Sequence, residues 1–213
     1  MLRFKIVILF LFLVGFSSFS QEFKAGAIGG ATFSQVHGDN YVGFNKIGLV
    51  GGLYVSRQFA DIWAGQLEIV YKQKGSRHNP NESKGDFNLY KLNFDYMEVP
   101  LLVKVDVNDF SFEAGAAFGV LINSKEEDQY GTLISDYPFE DYELSGLLGV
   151  NYQFHPRMFV NLRWSYAFTR VRKAYGGAFD NQKPPHWMDG KYGQYNHLVS
   201  LSLYYEFESL FGN

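Results

Sequence analysis

Cysteine is absent from this 213-residue chain, which excludes a disulfide framework and a lipid-modified cysteine at a leader cleavage point. After residue 20 no apolar run approaches the length of a membrane-spanning helix. There is no basic block, and the net charge is −3, so nucleic acid is not an expected partner. Metal-ligand spacing is missing among the five histidines, His37, His78, His155, His186 and His197. The acidic residues Glu126, Glu127, Asp128, Asp136, Glu140 and Asp141 lack the spacing of a calcium loop and read as a solvated charged loop. No metal, no cofactor and no enzymatic activity are expected.

What is present begins with a leader. Arg3 and Lys5 precede an apolar run from Ile6 to Phe16, and Ser18-Phe19-Ser20 forms a small-x-small cleavage signal. This is the pattern of a secretory signal peptide, too short and wrongly flanked to be a spanning helix. Residues 1–20 are therefore expected to be removed, leaving one domain over 21–213. Aromatic residues make up 18% of the chain. An exported, aromatic-rich chain without long apolar runs is either a secreted β-sandwich or an outer-membrane barrel.

Alternation and loop length separate those two. Eight segments of strand length are readable, at about 22–35, 44–57, 62–76, 90–105, 110–122, 142–154, 158–171 and 196–208. Phe110, Phe112, Phe118, Val120 and Ile122 share one face of the fifth, with Ser111 and Glu113 opposite. Val160, Leu162, Trp164, Tyr166 and Phe168 share one face of the seventh, with Asn161, Arg163 and Ser165 opposite. A period of two excludes helix and fits strands with one apolar face. Links after the second, fourth and sixth segments are short ("QFAD", "DVND", "HPR"), while the others are long, up to the stretch "KAYGGAFDNQKPPHWMDGKYGQY". Short turns at one rim and long loops at the other are the bacterial outer-membrane arrangement. The spacing predicts an eight-stranded antiparallel up-and-down transmembrane barrel. Its lipid face would carry a periplasmic girdle of Trp63, Phe110, Phe112, Tyr205 and Phe207, and an outer one of Tyr71, Phe94, Tyr166 and Phe168.

The fourth segment contains "DYMEVPLLVKV", residues 95–105. Its apolar face changes parity, from Leu92, Phe94 and Tyr96 to Met97, Val99, Leu101, Val103 and Val105, which predicts a β-bulge near Tyr96–Met97. A bulge accounts in part for Pro100, which cannot donate a ladder hydrogen bond.

That stretch resembles the signature of the PorT-like outer-membrane barrels of Bacteroidota-type bacteria, carried here by Asp95, Tyr96, Glu98 and Pro100. "FEAGAAFGVLI" (112–122), "ELSGLLGVNYQF" (143–154) and "HLVSLSLYYEF" (197–207) support it. The resemblance implies a barrel in the cell outer membrane and a link to type IX-like secretion or surface assembly. Membrane lipid would be its surroundings, and surface or periplasmic proteins its partners. A monomer is expected.

By parity Lys24, Glu68, Lys72, Glu98, Lys104, Glu113, Glu143, Arg163 and Glu206 point into the lumen. Counted from the periplasmic turns, Lys24, Lys104, Glu113 and Glu206 fall low, Glu68, Glu98 and Arg163 at mid-height, and Lys72 and Glu143 higher. Buried charges need partners, so Arg163 is expected to bridge Glu68 and Glu98 and to plug the lumen. The function expected is structural or interaction-type. Two alternatives stand beside it. One is a porin-like channel for small solutes, disfavoured because eight strands leave an interior filled by side chains. The other is a lipid-modifying enzyme using His197 and Ser200, which no motif ties together. The aromatics of the last long loop, Tyr175, Phe179, Trp187, Tyr192 and Tyr195, are a candidate contact surface.

Overall fold

The computed structural model describes residues 23–38, 43–81, 83, 85–133, 138–173 and 193–208. Its strands are β1 (Phe23–His37), β2 (Lys46–Gln58), β3 (Trp63–His78), β4 (Tyr90–Val107), β5 (Phe110–Asp128), β6 (Gly131–Thr132), β7 (Tyr142–His155), β8 (Met158–Ala167), β9 (Arg172–Lys173) and β10 (Gly193–Glu206). The eight long strands pair antiparallel in the order β1-β2-β3-β4-β5-β7-β8-β10, and β10 pairs back onto β1. The sheet is thus a closed eight-stranded barrel with no free edge, which is how strands can meet lipid without unpaired backbone groups. The two-residue strands β6 and β9 extend β5 and β10 beyond the ring. In the tight turn between β4 and β5, Asn108 takes φ 54°, a conformation that asparagine tolerates and a two-residue hairpin loop demands.

Large apolar side chains cover the outside. Leu53, Leu67, Ile69, Leu101, Phe112, Phe118, Leu148, Leu162 and Leu201 are all exposed. The expected periplasmic girdle, Trp63, Phe110, Phe112, Tyr205 and Phe207, lies on this outer surface. Among the described residues the inside holds ten buried charged residues, five carboxylates (Glu68, Glu98, Glu113, Glu126, Glu143) and five cations (Lys72, Lys74, Lys104, Arg163, Arg172).

Two expectations about β4 need correction. Its even residues from Tyr90 to Lys104, Leu92, Phe94 and Tyr96 included, all face inward without a slip. The bulge lies on the partner strand: Asp95 pairs with Asn123 and Tyr96 with Leu121, leaving Ile122 as the extra residue. Beyond Ile122 the inward parity of β5 changes from odd to even, which turns Glu126 into the lumen. Glu126, expected in a solvated loop, is therefore a buried strand residue. Pro100 also faces inward, away from the bulge. The β3–β4 ladder is interrupted at Glu68–Ile69 opposite Val99–Pro100, where proline offers no N–H.

The change of polarity along β4 has another physical cause. From Met97 down to Val103 the outward residues are exposed and apolar, and above them Asp95, Asn93 and Lys91 face out. β4 has 18 residues, which at about 3.3 Å each and a tilt of about 40° rise roughly 45 Å, against an apolar band of about 25 Å. The strand outlasts the membrane. Above the lipid the outside is water and the inside can be apolar, so polarity inverts while geometry does not. Val36, Tyr90, Leu92, Phe94, Tyr96 and Val171 form an apolar core inside this upper part, with Leu121 and Phe139 packed against it. Phe94 is thus not part of an outer girdle. Tyr166 is also buried, beneath rim contacts to His37, His197 and Trp164.

Candidate functional site

Among the described residues, paired charges stack in three layers across the lumen from mid-height to the top. In the middle layer the Arg163 guanidinium donates from Nε to Glu113 Oε1 (2.6 Å) and from both terminal nitrogens to Glu68 (2.8 and 2.9 Å). Tyr204 Oη accepts a further bond from Arg163 at 3.0 Å and donates to Glu68 Oε1, also at 3.0 Å. Gln66 Nε2 completes the Glu68 shell at 2.6 Å. Glu113 also accepts from Asn161 (2.8 Å) and Asn151 (3.1 Å). A guanidinium presents donors in a rigid fork, so one side chain can hold two carboxylates at once.

The local sequence makes this reach possible. Glu113, Gly149 and Arg163 occupy one register row across β5, β7 and β8. A Cβ on Gly149 would lie 2.5 Å from Glu113 Oε1. The strand between acid and base therefore carries no side chain, and the pair closes over bare backbone.

The expected bridge from Arg163 to Glu98 does not form. Glu98 sits one layer higher, where Lys72 donates to it at 2.7 Å and Lys74 pairs with its other oxygen. Lys74 also meets Glu143 at 2.5 Å, and Asn196 donates to the second Glu143 oxygen at 2.5 Å. The Lys74 ammonium lies 4.9 Å from the centre of the Tyr96 ring, so this layer abuts the apolar core above it. Glu113, expected low, belongs to the middle layer, and Glu98, expected at mid-height, to the upper one. Near the top, Arg172 pairs with Glu126 at 2.5 Å, and Tyr90 Oη donates to the same carboxylate at 2.7 Å.

Of the remaining expected lumen residues, Lys24 and Glu206 approach to 3.5 Å at the water-exposed lower rim. Lys104 lies low in the lumen, with Gln66 Oε1 at 3.2 Å and the Phe159 ring centre at 4.7 Å. In the signature strand, Tyr96, Glu98 and Pro100 face inward, while Asp95 faces out and accepts from Tyr71 (2.8 Å), Gln73 (3.3 Å) and Asn123 (3.1 Å). Lys74, Arg172, Tyr204, Asn151 and Asn161 were not among the expected site residues. The period of two that marks Glu68 and Lys72 also marks Lys74, and Tyr204, Asn151 and Asn161 follow from the same count on their own strands. Arg172 lies past the end of β8, where no periodicity reaches it.

No group of three or more metal-ligating side chains occurs among the described residues. His37 and His197 meet at 3.1 Å on the outer wall near the upper rim, with Trp164 donating to His197 Nε2 at 2.5 Å. Ser200 faces the lumen and His197 the outside of the same strand, so they cannot act as a catalytic pair. His78 pairs with Asp86 at 2.6 Å, and His155 Nδ1 accepts from the Arg157 backbone at 3.3 Å. Above the membrane the Asn88 backbone N–H and His78 hold the Asp86 carboxyl below its ordinary range, and Lys125 does the same for Glu127. Asp136, His186, Tyr175, Phe179, Trp187 and Tyr192 lie outside the described residues.

A family model described as outer membrane protein beta-barrel domain matches residues 17–172, more than half of the chain. No curated protein matches it. Among solved structures, Neisserial surface protein A is similar at 10% identity and TM-score 0.52, over 87% of this chain and 97% of that one. Ail of Yersinia pestis, solved with the heparin analogue sucrose octasulfate, is similar at 15% identity and TM-score 0.46, over 87% and 99%. At such identities the likeness speaks for the fold alone.

Proposed function

The chain belongs to the outer membrane protein beta-barrel domain family and resides in the cell outer membrane, and from that premise we propose that it is a closed, non-conducting barrel whose work is done by its surfaces. In this reading residues 1–20 are an export leader, residues 21–213 are the barrel domain, and the protein is a monomer surrounded by lipid. The observation that carries it is the middle layer: Arg163, Glu68, Glu113 and Tyr204 are joined across the lumen by direct hydrogen bonds of 2.6 to 3.0 Å. An ion crossing this layer would have to break several charge-assisted bonds. Wild-type barrel in planar lipid bilayers should show no steady single-channel current. A large, persistent conductance would discard this reading and favour a porin-like channel.

The partners proposed are proteins at the cell surface or in the periplasm. The wall of β3, β4 and β5 offers a contact area above the lipid, where Asp95, Asn123 and Lys91 face water. The resemblance of residues 95–105 to PorT-like barrels supports a type IX-like secretion machine as the assembly served. Deleting the protein from its own cell should then reduce export of type IX-type cargo, and unchanged export would separate the chain from that machine.

A further inference from the structure

The lower lumen contains a cavity that the charge layers do not fill. It has a volume of about 270 Å³ and opens at the periplasmic mouth, room for about nine liquid-water volumes. Its roof is aromatic. Phe159 stacks on Tyr204 at 4.6 Å between ring centres, and Tyr54 meets both rings at 6.0 and 5.4 Å. Tyr54 can lie there because its cross-strand neighbour is Gly26, where a Cβ would stand 2.5 Å from the ring.

Lys104 and Tyr54 both line this space, and each keeps a donor without a partner among the described residues. Lys104 is 8% exposed and has no carboxylate within ion-pair distance among the described residues. One of its three N–H groups goes to Gln66 and one side of the ammonium rests on the Phe159 ring, which leaves a donor over. The Tyr54 hydroxyl is buried and has no hydrogen-bond partner among the described residues. The nearby Glu113 is bound by Arg163, Asn151 and Asn161 and stands beyond ion-pair distance of Lys104. A buried ammonium and a buried hydroxyl lining one cavity call for an anionic oxygen. At the mouth Lys24 pairs with Glu206 and Arg157 with Glu208, while Asp106 and Asp109, which line the same cavity, have no cation within ion-pair distance among the described residues.

We propose that this vestibule binds a small zwitterion of amino-acid size from the periplasm, its carboxylate held between Lys104 and Tyr54 and its ammonium group toward Asp106 and Asp109. The site is independent of the surface function proposed above and of any flow through the barrel, because the Arg163 layer closes it from above.

The test uses the full barrel in detergent micelles, titrated with L-alanine, with acetate and with methylamine while the Gln66 side-chain amide is followed by NMR. Saturable shifts with alanine, at least tenfold tighter than with acetate or methylamine, are expected. Lys104→Met should abolish them. Tyr54→Phe, which removes one oxygen and keeps the ring, should weaken alanine severalfold in a barrel that folds normally. Asp106→Asn with Asp109→Asn should bring alanine down to the acetate level. Absence of saturable shifts in the wild type, or equal binding in Lys104→Met, would overturn the site. Equal affinity for alanine and acetate would overturn the zwitterion.

Discussion

Replacing Arg163 with alanine should destabilise the barrel by about 3–5 kcal/mol, the cost of breaking a buried ion pair from one side. Arg163 is 3% exposed and engages two carboxylates and a tyrosine hydroxyl. Its removal leaves Glu68 and Glu113 facing one another with only Gln66, Tyr204, Asn151 and Asn161 as donors. Denaturant unfolding in phospholipid vesicles measures the loss. The variant Arg163→Met with Glu68→Gln and Glu113→Gln removes all the charge together and should recover much of it, because the penalty lies in the unpaired carboxylates. If the triple variant is as unstable as the single one, packing rather than charge governs this layer.

One residue earlier the expectation has a different origin. Leu162 is 49% exposed and pairs with Leu201 and Val150 on the lipid face of β8. Leu162→Arg should cost about 2–4 kcal/mol, the price of a cation near the bilayer midplane. The same unfolding experiment applies, and the loss should shrink in detergent micelles, whose surface a long side chain reaches easily. A loss equal in both media would mean that Leu162 does not face lipid. Neighbours in the chain, Arg163 is needed as a charge and Leu162 as its absence.

Much of this architecture was legible in the sequence because a closed sheet between lipid and a polar lumen imposes period two on almost every strand. β2 and β7 can be read within about two residues of their ends, and loop lengths alone distinguish the two rims, but β5 runs on to Asp128 through a stretch read as loop. Legibility failed where that rule loses its physical basis. Leu92, Phe94 and Tyr96 look lipid-facing because apolar residues face lipid lower down, yet β4 has left the membrane there and the lumen has become apolar. The layer of Arg163 was readable from parity, but its partner was not. Glu98 and Glu113 both point inward, and the choice between them rests on strand stagger and on the empty place at Gly149. That Lys104 lacks a carboxylate and Tyr54 a hydrogen-bond partner cannot be recognised from sequence, since a missing partner is a three-dimensional fact.

The lumen contacts also bear on how the barrel is assembled. Glu68 and Arg163 are 95 residues apart, Lys74 and Glu143 69, and Tyr204 and Glu68 136. None of these bonds can form within one hairpin, so an incompletely closed sheet in lipid must carry charges with no counter-charge in reach. Such contacts raise contact order and slow the search for the closed state. They also disfavour every state between open and closed, because the middle layer needs β3, β5, β8 and β10 at once. Folding is thereby driven toward an all-or-none event in which the ring shuts and its interior neutralises in the same step.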